Sequence, residues 1–357
     1  MNRSTTLPVQ VLMMPDYRVE NPYQTLLADA LQQQVSVYFP TGYRRIFPIF
    51  RAIKDCAFPI QALHLHWINP YNKGGNWLKR SIYSLKFLTD ILITRLSGVK
   101  VVWTIHNRLS HEAQFSGLEL WTIRQLVKLV DRIIVHHQAA RSELAKLYQF
   151  NPDKATVVPH GHYRTIYEEA IDRAEAKAIL GLPPTGKIYL NLGMLRPYKG
   201  IERLLEVWRD HPEITANHTL LIAGKPLDDA YEQQLVKQVA ATKGAVLHPG
   251  FVKDNSIPVY FSAADVVILP FENILTSGSL VLAMSYSKPI IAPRLGSIPE
   301  TIGTADWLLY EADEEQGLLR AIEKSTEVNL NELERLTGEM GDRLSWDSIA
   351  HKTAQLY

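Results

Sequence analysis

The sequence predicts an α/β protein built from two doubly wound domains. Short apolar runs rich in β-branched residues alternate with longer amphipathic stretches along the chain, which is the pattern of repeated βαβ units. Several of these runs are continuously apolar, as are strands that helices cover on both faces. The length of 357 residues suits two domains. We therefore expect two Rossmann-like domains facing a central cleft, with ligands at the carboxyl ends of the strands.

The first half alternates five predicted strands with four predicted helices. The strands are Val9–Met14, Val35–Phe39, Leu63–Ile68, Val101–Ile105 and Arg132–His136. The helices are Tyr23–Gln33, Trp77–Leu96, Leu118–Leu129 and Ala139–Tyr148. A charged helical stretch at Ile166–Leu180 and a segment rich in Gly and Pro follow. We place the first domain at residues 1–170 and the second at residues 171–340.

The second half repeats the alternation. Its predicted strands are Lys187–Leu192, Thr219–Ala223, Ala245–His248, Asp265–Leu269 and Pro289–Ala292. Its predicted helices are Ile201–Arg209, Asp228–Thr242, Ser279–Ser285 and Glu314–Glu327. A second doubly wound sheet follows from this order.

Composition excludes several classes of protein. Hydrophobic residues make up 46% of the chain and charged residues 21%, so the chain can form a core and is not expected to be disordered. No apolar run reaches the roughly 18 residues that a membrane span needs, and the first residues lack a signal-peptide pattern. We therefore expect a cytoplasmic protein. The single cysteine, Cys56, allows no internal disulfide and no cysteine-based metal cluster.

Charge is distributed unevenly. Residues 1–164 carry 20 Lys and Arg against 10 Asp and Glu, whereas the remainder carries 18 against 27. The basic half indicates an anionic partner, namely a phosphate-bearing substrate, an acidic membrane or a nucleic acid, unless two oppositely charged faces simply attract each other. Cations stand among aromatic and aliphatic residues at Arg44, Arg45, Arg51, Lys79, Arg80 and Lys86. This pattern favours an anionic membrane surface or a polyprenyl-diphosphate acceptor, with a solvated helix face as the alternative; no nucleic-acid-binding motif occurs.

The clearest functional signal is the segment Gly193-Met-Leu-Arg-Pro-Tyr-Lys-Gly200, which leads from a predicted strand into a predicted helix. Such a turn brings backbone N–H groups and the positive end of a helix dipole together. Arg196 and Lys199 beside it would hold a diphosphate and neutralise charge on a departing phosphate. The alternative is a solvated loop without a ligand.

A second candidate loop precedes the helix predicted at Ser279–Ser285. The hydroxyls of Thr276, Ser277 and Ser279 stand beside Gly278, which has no Cβ, at a helix N-terminus. This combination suits an anionic group that approaches closely, and an ordinary N-cap is the alternative. A third loop ends at Glu300, which could pair with a ribose hydroxyl or cap a helix.

Together these segments resemble the C-terminal domain of the family 4 glycosyltransferases, which have the two-domain GT-B fold. The marks in this sequence are Gly193…Arg196-Pro-Tyr-Lys199-Gly200, Tyr260-Phe-Ser-Ala-Ala-Asp-Val-Val-Ile-Leu-Pro270, Ala283-Met…Lys288-Pro-Ile-Ile…Gly296-Ser-Ile-Pro-Glu300 and, more loosely, Thr104-Ile-His-Asn107 and Val157-Val-Pro-His-Gly161. The resemblance implies that Arg196 and Lys199 grip the donor diphosphate and that His106 lies by the transferring sugar. It also implies that residues 341–357 form a helix that returns toward the first domain.

One departure from the family concerns two glutamates, eight positions apart, with which many members contact the donor sugar and the ribose. Ile274 and Leu282 stand at those positions. Glu272 lies nearby, and the hydroxyls of residues 276–279 could make some of the contacts with the donor that the two glutamates make in other members. Retention and inversion of configuration therefore both stay open. The Ser-Gly variant resembles a subgroup associated with bacterial exopolysaccharide or lipid-linked sugar assembly.

An inverting transfer needs a general base, and candidates should lie at the carboxyl edge of the first sheet. His106 ends a predicted strand there and is the candidate catalytic histidine. The acceptor-side candidates are Asp16, His64, His66 and His160. Structural roles are the alternative for each histidine, His136 included. No third ligand accompanies His64 and His66, so we predict no metal site.

The sequence thus predicts a glycosyltransferase that moves a hexose from a UDP- or GDP-sugar to a hydroxyl of a saccharide or lipid-linked acceptor. Polysaccharide or glycoconjugate synthesis at the inner face of a membrane is the expected setting, with no metal or other cofactor. A nucleotide-sugar epimerase on the same fold and a non-catalytic subunit that binds a nucleotide sugar or lipid are the alternatives. A dehydrogenase is disfavoured because no Gly-x-Gly-x-x-Gly turn follows the first strand.

Overall fold

The computed structural model describes residues 8–19, 21–42, 46–108, 115–167 and 169–357. The chain divides into two compact units. One runs to Gly161 and takes in Ser345–Tyr357, and the other is His162–Leu344. The division thus falls after Gly161, whereas the sequence analysis places it at residue 170.

The first unit is a six-stranded parallel sheet with helices between the strands. The strands are β1 Gln10–Met14, β2 Ser36–Tyr38, β3 Ala62–Leu65, β4 Lys100–Thr104, β5 Arg132–Val135 and β6 Ala155–Val157. The helices are α1 Pro22–Leu31, α2 Pro48–Asp55, α3 Trp77–Leu96, α4 Ser116–Leu129 and α5 Gln138–Tyr148. The strand order is β2-β1-β3-β4-β5-β6. The winding direction changes between β1 and β3, so the carboxyl ends of these two strands form the switch point where such sheets bind ligands.

The second unit repeats this architecture. Its strands are β7 Ile188–Leu192, β8 Thr219–Gly224, β9 Ala245–Pro249, β10 Val266–Ile268, β11 Ile290–Pro293 and β12 Leu309–Tyr310. Its helices are α6 Arg173–Ile179, α7 Ile201–Asp210, α8 Pro212–Thr215, α9 Asp229–Ala240, α10 Ile257–Ala263, α11 Gly278–Ser285, α12 Ile298–Ile302, α13 Gly317–Glu327 and α14 Leu330–Asp342. The parallel strands follow the order β12-β11-β10-β7-β8-β9. The switch point of this sheet lies between β7 and β10.

The cores of both units lie on the two faces of the sheets. Every residue of Val11–Met14 in β1 and every residue of Ile188–Leu190 in β7 is fully buried. A strand that is apolar at consecutive positions needs cover on both faces, because successive side chains point to opposite sides. The two doubly wound α/β sheets predicted from the sequence are therefore confirmed.

The last helix, α15 Trp346–Ala354, belongs to the first unit and packs against α1. The Trp346 ring lies 5.5 Å from the ring of Tyr23. A Cβ at Gly161 would stand 2.3 Å from the Trp346 indole. Only glycine therefore lets the chain pass this ring.

Several element predictions need correction. The helix predicted at Ile166–Leu180 spans only α6, because the Asp172 carboxylate accepts the Glu175 amide at 3.0 Å and caps its start. Helix α2 was not predicted, since its cap is remote in sequence: the Asp90 carboxylate accepts the amides of Ile49 and Phe50, both at 2.9 Å. Strands β6 and β12 and helices α8, α10, α12 and α14 were also missed. No helix in the described ranges has the length and apolarity to span a membrane.

Candidate functional site

The predicted donor residues gather at the switch point of the second sheet. Gly193 follows β7 with a φ of 137°, and its amide donates to the carbonyl of Ala223 at the end of β8. A Cβ at Gly193 would lie 3.0 Å from Lys199 Nζ and 3.1 Å from Ser279 Oγ. One glycine thus stands beside an ammonium from the first loop and a hydroxyl from the second.

Lys199 places its ammonium in a desolvated position. The residue is 9% exposed, and its side chain has no hydrogen bond or ion pair among the residues that the structure describes. Burial, with a smaller effect from the charge of Arg196, lowers the pKa of Lys199 to about 8. A buried cation without a counter-ion is costly, so an anion bound here would be strongly favoured.

Arg196 is half-buried and fixed by the backbone. Its Nη1 donates to the carbonyl of Leu195 at 2.8 Å and to that of Lys225 at 3.3 Å. The short turn Pro197–Lys199 follows, and Gly200, with a φ of 68°, is the N-cap residue of α7, where no side chain caps the helix. The turn therefore unites a guanidinium, an ammonium and a helix N-terminus, the three elements that bind phosphate groups.

The loop after β10 is fastened to this turn. The amide of Glu272 donates to the carbonyl of Tyr198 at 2.9 Å. A Cβ at Gly200 would lie 2.1 Å from the carbonyl oxygen of Pro270, so the two backbones touch. The sequence-predicted segments around residues 193–200 and 270–279 thus form one continuous edge.

The predicted hydroxyl cluster divides into two kinds of group. Ser277 is buried, and its Oγ accepts the amide of Leu280 at 3.0 Å as the N-cap of α11, which is the structural alternative that the sequence left open. Thr276 Oγ1 is buried without a hydrogen-bond partner in the described ranges. Gly278 is exposed at the first position of α11, and Ser279 lies beside Gly193. Thr276 and Ser279 are therefore the hydroxyls available to a ligand.

The carboxylates lie at the rim. Glu272 and Glu300 are both exposed, the latter in the first turn of α12. Ile274 is 8% exposed and Leu282 is half-buried. The two positions at which many family members carry glutamate thus belong to the apolar packing of this unit.

In the first unit, the predicted histidines form a cluster at the carboxyl edge of the sheet. His66 Nδ1 lies 3.1 Å from His106 Nε2, and His106 Nδ1 lies 3.2 Å from His136 Nε2. His160 lies beside His136, with 5.6 Å between the ring centres. The ring of Tyr23 contacts all four of these histidines. Sequence reasoning selected the histidines but missed Tyr23, which α1 brings to them.

His64, in β3 itself, is buried with both of its ring nitrogens in hydrogen bonds. Its Nδ1 lies 2.5 Å from the hydroxyl of Tyr357 and its Nε2 lies 2.7 Å from Thr104 Oγ1. The residue is fully buried, and burial lowers its pKa to about 3. Both nitrogens are thus committed to the fold, so His64 has the contacts of a structural histidine.

Asp16 lies at the switch point of the first sheet, directly after β1. Its carboxylate accepts hydrogen bonds from Arg18 Nε and Nη2, both at 2.9 Å. These bonds lower the pKa of Asp16. The carboxylate is therefore ionised and engaged at neutral pH.

A cavity of about 850 Å³ opens beside Asp16. Its walls are mostly apolar and aromatic, with the rings of Tyr71 and Phe87 stacked at 5.4 Å. Two lysines, Lys73 and Lys86, also line it. Asp16 and Asp90 line it as well, so the cavity combines apolar walls with two cations and two carboxylates, a mixture typical of a ligand site.

Helix α3 presents an apolar stripe to solvent. Residues three, four and seven positions apart lie on one face of a helix, and the exposed residues on this face are Leu78, Ile82, Leu85, Leu92 and Leu96. We call this face the α3 stripe. Trp77 and Lys79 are exposed at its start.

The predicted basic surface is only partly present. Arg51 and Lys79 are exposed, and Lys86 is half-buried at the cavity. Arg80 was predicted to belong to this surface, but its guanidinium pairs at 3.6 Å with the buried carboxylate of Glu119. Its charge is thus used inside the unit. Arg44 and Arg45 lie outside the described residues.

The described residues include no group of three or more His, Cys, Asp and Glu side chains arranged to hold a metal ion. The histidine cluster fits this finding, since its ring nitrogens face one another at hydrogen-bond distance. Ring nitrogens that form hydrogen bonds with one another do not point their lone pairs at a single metal position.

Comparison with known proteins identifies the family. The model of the family described as Glycosyl transferases group 1 matches residues 172–339, and that of Glycosyltransferase Family 4 matches residues 27–162. A GDP-mannose:glycolipid 4-beta-D-mannosyltransferase of Xanthomonas campestris pv. campestris is 28% identical over 309 residues, which cover 84% of this chain and 78% of that protein.

Solved structures agree on the fold. Sucrose-phosphate synthase from Thermosynechococcus elongatus superposes with a TM-score of 0.74 at 17% identity, covering 98% of both chains. Anabaena HepE in complex with UDP and glucose superposes with a TM-score of 0.71 at 17% identity, covering 97% of this chain and 98% of that one. The chain therefore belongs to the group 1 and family 4 glycosyltransferases and has their two-domain GT-B fold.

Proposed function

We propose that this glycosyltransferase moves a hexose from a GDP- or UDP-sugar to a hydroxyl of a lipid-linked saccharide at a membrane surface. The observation that carries the proposal is the desolvated ammonium of Lys199, which lies beside Gly193 and has no counter-ion in the described part of the chain. A cation of this kind needs an anion, and the donor diphosphate supplies one.

The donor site follows from the second unit. Lys199 and Arg196 would grip the diphosphate together with the N-terminus of α7, while Thr276 and Ser279 offer hydroxyls at the same edge. As the bond from sugar to phosphate breaks, negative charge grows on the departing nucleoside diphosphate. Fixed cations stabilise that charge, so the site needs no metal ion in this proposal.

The choice of nucleotide stays between two candidates. The Xanthomonas relative is named for GDP-mannose, and the Anabaena structure contains UDP and glucose. Glu300, which is exposed, is proposed to pair with the ribose, and the exposed Glu272 is proposed to contribute to donor binding at the same edge.

The acceptor site is proposed in the first unit. The cavity beside Asp16 combines apolar walls with Lys73 and Lys86, which suits a lipid chain joined to a phosphate. The name of the Xanthomonas relative specifies a glycolipid acceptor. His106 and His160 lie at the same sheet edge, where a sugar hydroxyl would be received.

The membrane contact is proposed at the α3 stripe. A helix that lies in the bilayer interface buries an apolar face and keeps cations at its borders, and Leu78, Ile82 and Lys79 at the start of α3 have this arrangement. The double variant Leu78→Ser/Ile82→Ser should lose most binding to vesicles that contain anionic lipid. Val236→Ser, an exposed apolar residue of the second unit, is the control. Equal binding of all three proteins would refute this contact.

The central test is transfer of labelled sugar from GDP-mannose and from UDP-glucose to a lipid extract. We expect Lys199→Ala and Arg196→Ala to lower turnover by about 100-fold to 1,000-fold, the loss typical of a group that stabilises developing charge. Lys237→Ala and Arg209→Ala, both exposed in the second unit, should keep wild-type rates. Full activity of the Lys199 variant would overturn the proposal. Donor turnover without any acceptor would indicate an isomerase instead.

A further inference from the structure

Tyr163 is the second residue of the second unit, and its backbone is fastened to the end of α11. The Tyr163 amide donates to Ser285 Oγ at 2.9 Å, and Ser285 Oγ donates to the carbonyl of Val281 at 2.7 Å. The next residue, Arg164, donates from Nε to the Ser285 carbonyl at 3.2 Å and from Nη2 to the Gly338 carbonyl at 3.0 Å. The segment is therefore held against both α11 and α14.

The hydroxyl of Tyr163 lies at the opposite end of the same helix. A Cβ at Gly278, the first residue of α11, would lie 3.4 Å from this oxygen. Because the amide is fixed at Ser285 and the hydroxyl lies at Gly278, the side chain runs along α11 from its last residue to its first. The tyrosine is buried, whereas Gly278 is exposed. Packing thus holds the hydroxyl beside a position that a ligand can reach.

Two glycines leave open space at this edge of the second sheet. A Cβ at Gly193 would lie 3.0 Å from Lys199 Nζ and 3.1 Å from Ser279 Oγ, and a Cβ at Gly278 would lie beside the Tyr163 hydroxyl. Gly278 and Ser279 are consecutive, so the two spaces are close together. Hydrogen bonds to phosphate oxygens are about 2.7–2.9 Å long, and a phosphate oxygen in the space at Gly193 would therefore reach both the ammonium and the serine hydroxyl.

The groups around this space favour an anion. Lys199 is 9% exposed, and its ammonium has no hydrogen bond or ion pair in the described ranges. Thr276 Oγ1, just before α11, is buried without a hydrogen-bond partner among the same residues. The backbone amides in the first turn of α11 add the positive end of a helix dipole. A buried cation beside a helix N-terminus thus identifies the ligand as negatively charged.

The Tyr163 phenol is suited to such a ligand. Burial, with a smaller effect from Tyr167, raises the pKa of Tyr163 above its usual value. The phenol therefore keeps its proton at physiological pH. An O–H group of this kind can donate to a phosphate oxygen without adding charge to the site.

We propose that Tyr163 is a further nucleotide-sugar-binding residue, whose hydroxyl donates a hydrogen bond to a phosphate oxygen held by Lys199 and Ser279 at the N-terminus of α11. This inference rests on the proposed function for the identity of the anion. It adds to the two loops at residues 193–200 and 270–279 a contact from a third segment, which the sequence analysis did not select.

The first test removes only the hydroxyl. Calorimetric titrations of inorganic pyrophosphate, GDP and UDP against the full chain should show affinities about tenfold to hundredfold lower for Tyr163→Phe, as for a lost hydrogen bond to a charged group. Tyr167→Phe is the control, because this half-buried tyrosine has its ring 6.2 Å from that of Tyr163. It should bind like wild type. A hydroxyl with a structural role alone would lower the melting temperature and leave these affinities unchanged, which would overturn the inference.

The second test fills the space beside the hydroxyl. Gly278→Ala places a methyl group in ordinary contact with the Tyr163 oxygen, at a helical position that alanine adopts readily. The melting temperature should hold, while the affinity for pyrophosphate should fall about tenfold because the methyl separates the hydroxyl from the anion. Gly117→Ala, at an exposed position in the first turn of α4 with nothing within 4 Å, is the matched control. Wild-type affinity in Gly278→Ala would contradict the inference.

Pyrophosphate separates this inference from the proposed function. A protein that transfers no sugar but binds pyrophosphate through the Tyr163 hydroxyl would refute the function and uphold the inference. Sugar transfer by wild type, with nucleotide affinities unchanged in Tyr163→Phe, would do the reverse. A wild-type protein that binds neither pyrophosphate nor a nucleoside diphosphate would overturn both.

Discussion

The carboxyl edges of the two sheets have the same kind of topology but differ in the charge and hydrogen bonding of their side chains. At the edge of the second sheet, Gly193 and Gly200 bring backbones together around two cations, and the ammonium of Lys199 has no partner in the described ranges. At the edge of the first sheet, imidazole rings bond one another and the carbonyl of Val158. One edge thus holds unbalanced positive charge, while the other is neutral and largely satisfied.

This difference assigns opposite pH responses to the two edges. At the first edge, acid would protonate buried neutral histidine rings, so acid should lower the stability of the first unit. At the second edge, alkali would deprotonate the Lys199 ammonium, so alkali should weaken the binding of a phosphate group there.

The largest expected effect is the loss of stability in acid. His64 and His136 have pKa values lowered to about 3, and that of His160 is lowered to about 4. Their contribution is complete above the unfolded pKa of about 6.5 and is lost as pH falls toward the folded values. Between pH 7.5 and 5.5 each should cost about 1.4 kcal/mol of unfolding free energy, so the three together cost about 4 kcal/mol over that range.

Urea unfolding at pH 7.5, 6.5 and 5.5, followed by hydrogen exchange of each unit, measures this effect. The histidines of the second unit whose pKa values burial lowers, His218 and His248, are only half-buried. The first unit should therefore lose protection first. Equal protection of both units at every pH would break the contrast.

The next effect concerns the close backbone contact at the second edge. Gly200→Ala introduces a Cβ 2.1 Å from the carbonyl oxygen of Pro270, at a φ of 68°. We expect an unfolding penalty of about 3 kcal/mol, from the left-handed conformation and the displaced loop. Gly181→Ala is the matched control, since its φ is 66° and nothing lies within 4 Å. That variant should lose only about 1 kcal/mol, and equal penalties in denaturant unfolding would show that the contact is not tight.

The smallest effect is on nucleotide affinity in alkali. Because the pKa of Lys199 is lowered to about 8, the ammonium is mostly protonated at pH 7 and mostly deprotonated at pH 9. Affinity for GDP or UDP should fall about tenfold over this range, or about 1.4 kcal/mol. Calorimetric titration of wild type and Lys199→Ala measures it. A wild-type affinity that is as flat with pH as that of the variant would contradict the prediction.

The sequence predicted the second edge better than the first. The turn at residues 193–200 is local, so the strand, the glycines and both cations are visible in one stretch of chain. Helix α3 is also local, and its bounds are those predicted. The histidine cluster depends on contacts between residues 22–40 positions apart, and one of these contacts is to a backbone carbonyl. Arg80 shows the same limit, because its partner Glu119 lies on another helix.

The most direct measurement of the central claim compares nucleoside diphosphates with monophosphates. Calorimetric titrations of GDP, GMP, UDP and UMP against wild type, Lys199→Ala and Arg196→Ala isolate the second phosphate. If Lys199 and Arg196 grip the diphosphate, the nucleotide that binds wild type should do so more tightly as the diphosphate, and each variant should lose most of that advantage. Variants that keep the full preference for the diphosphate would contradict the account.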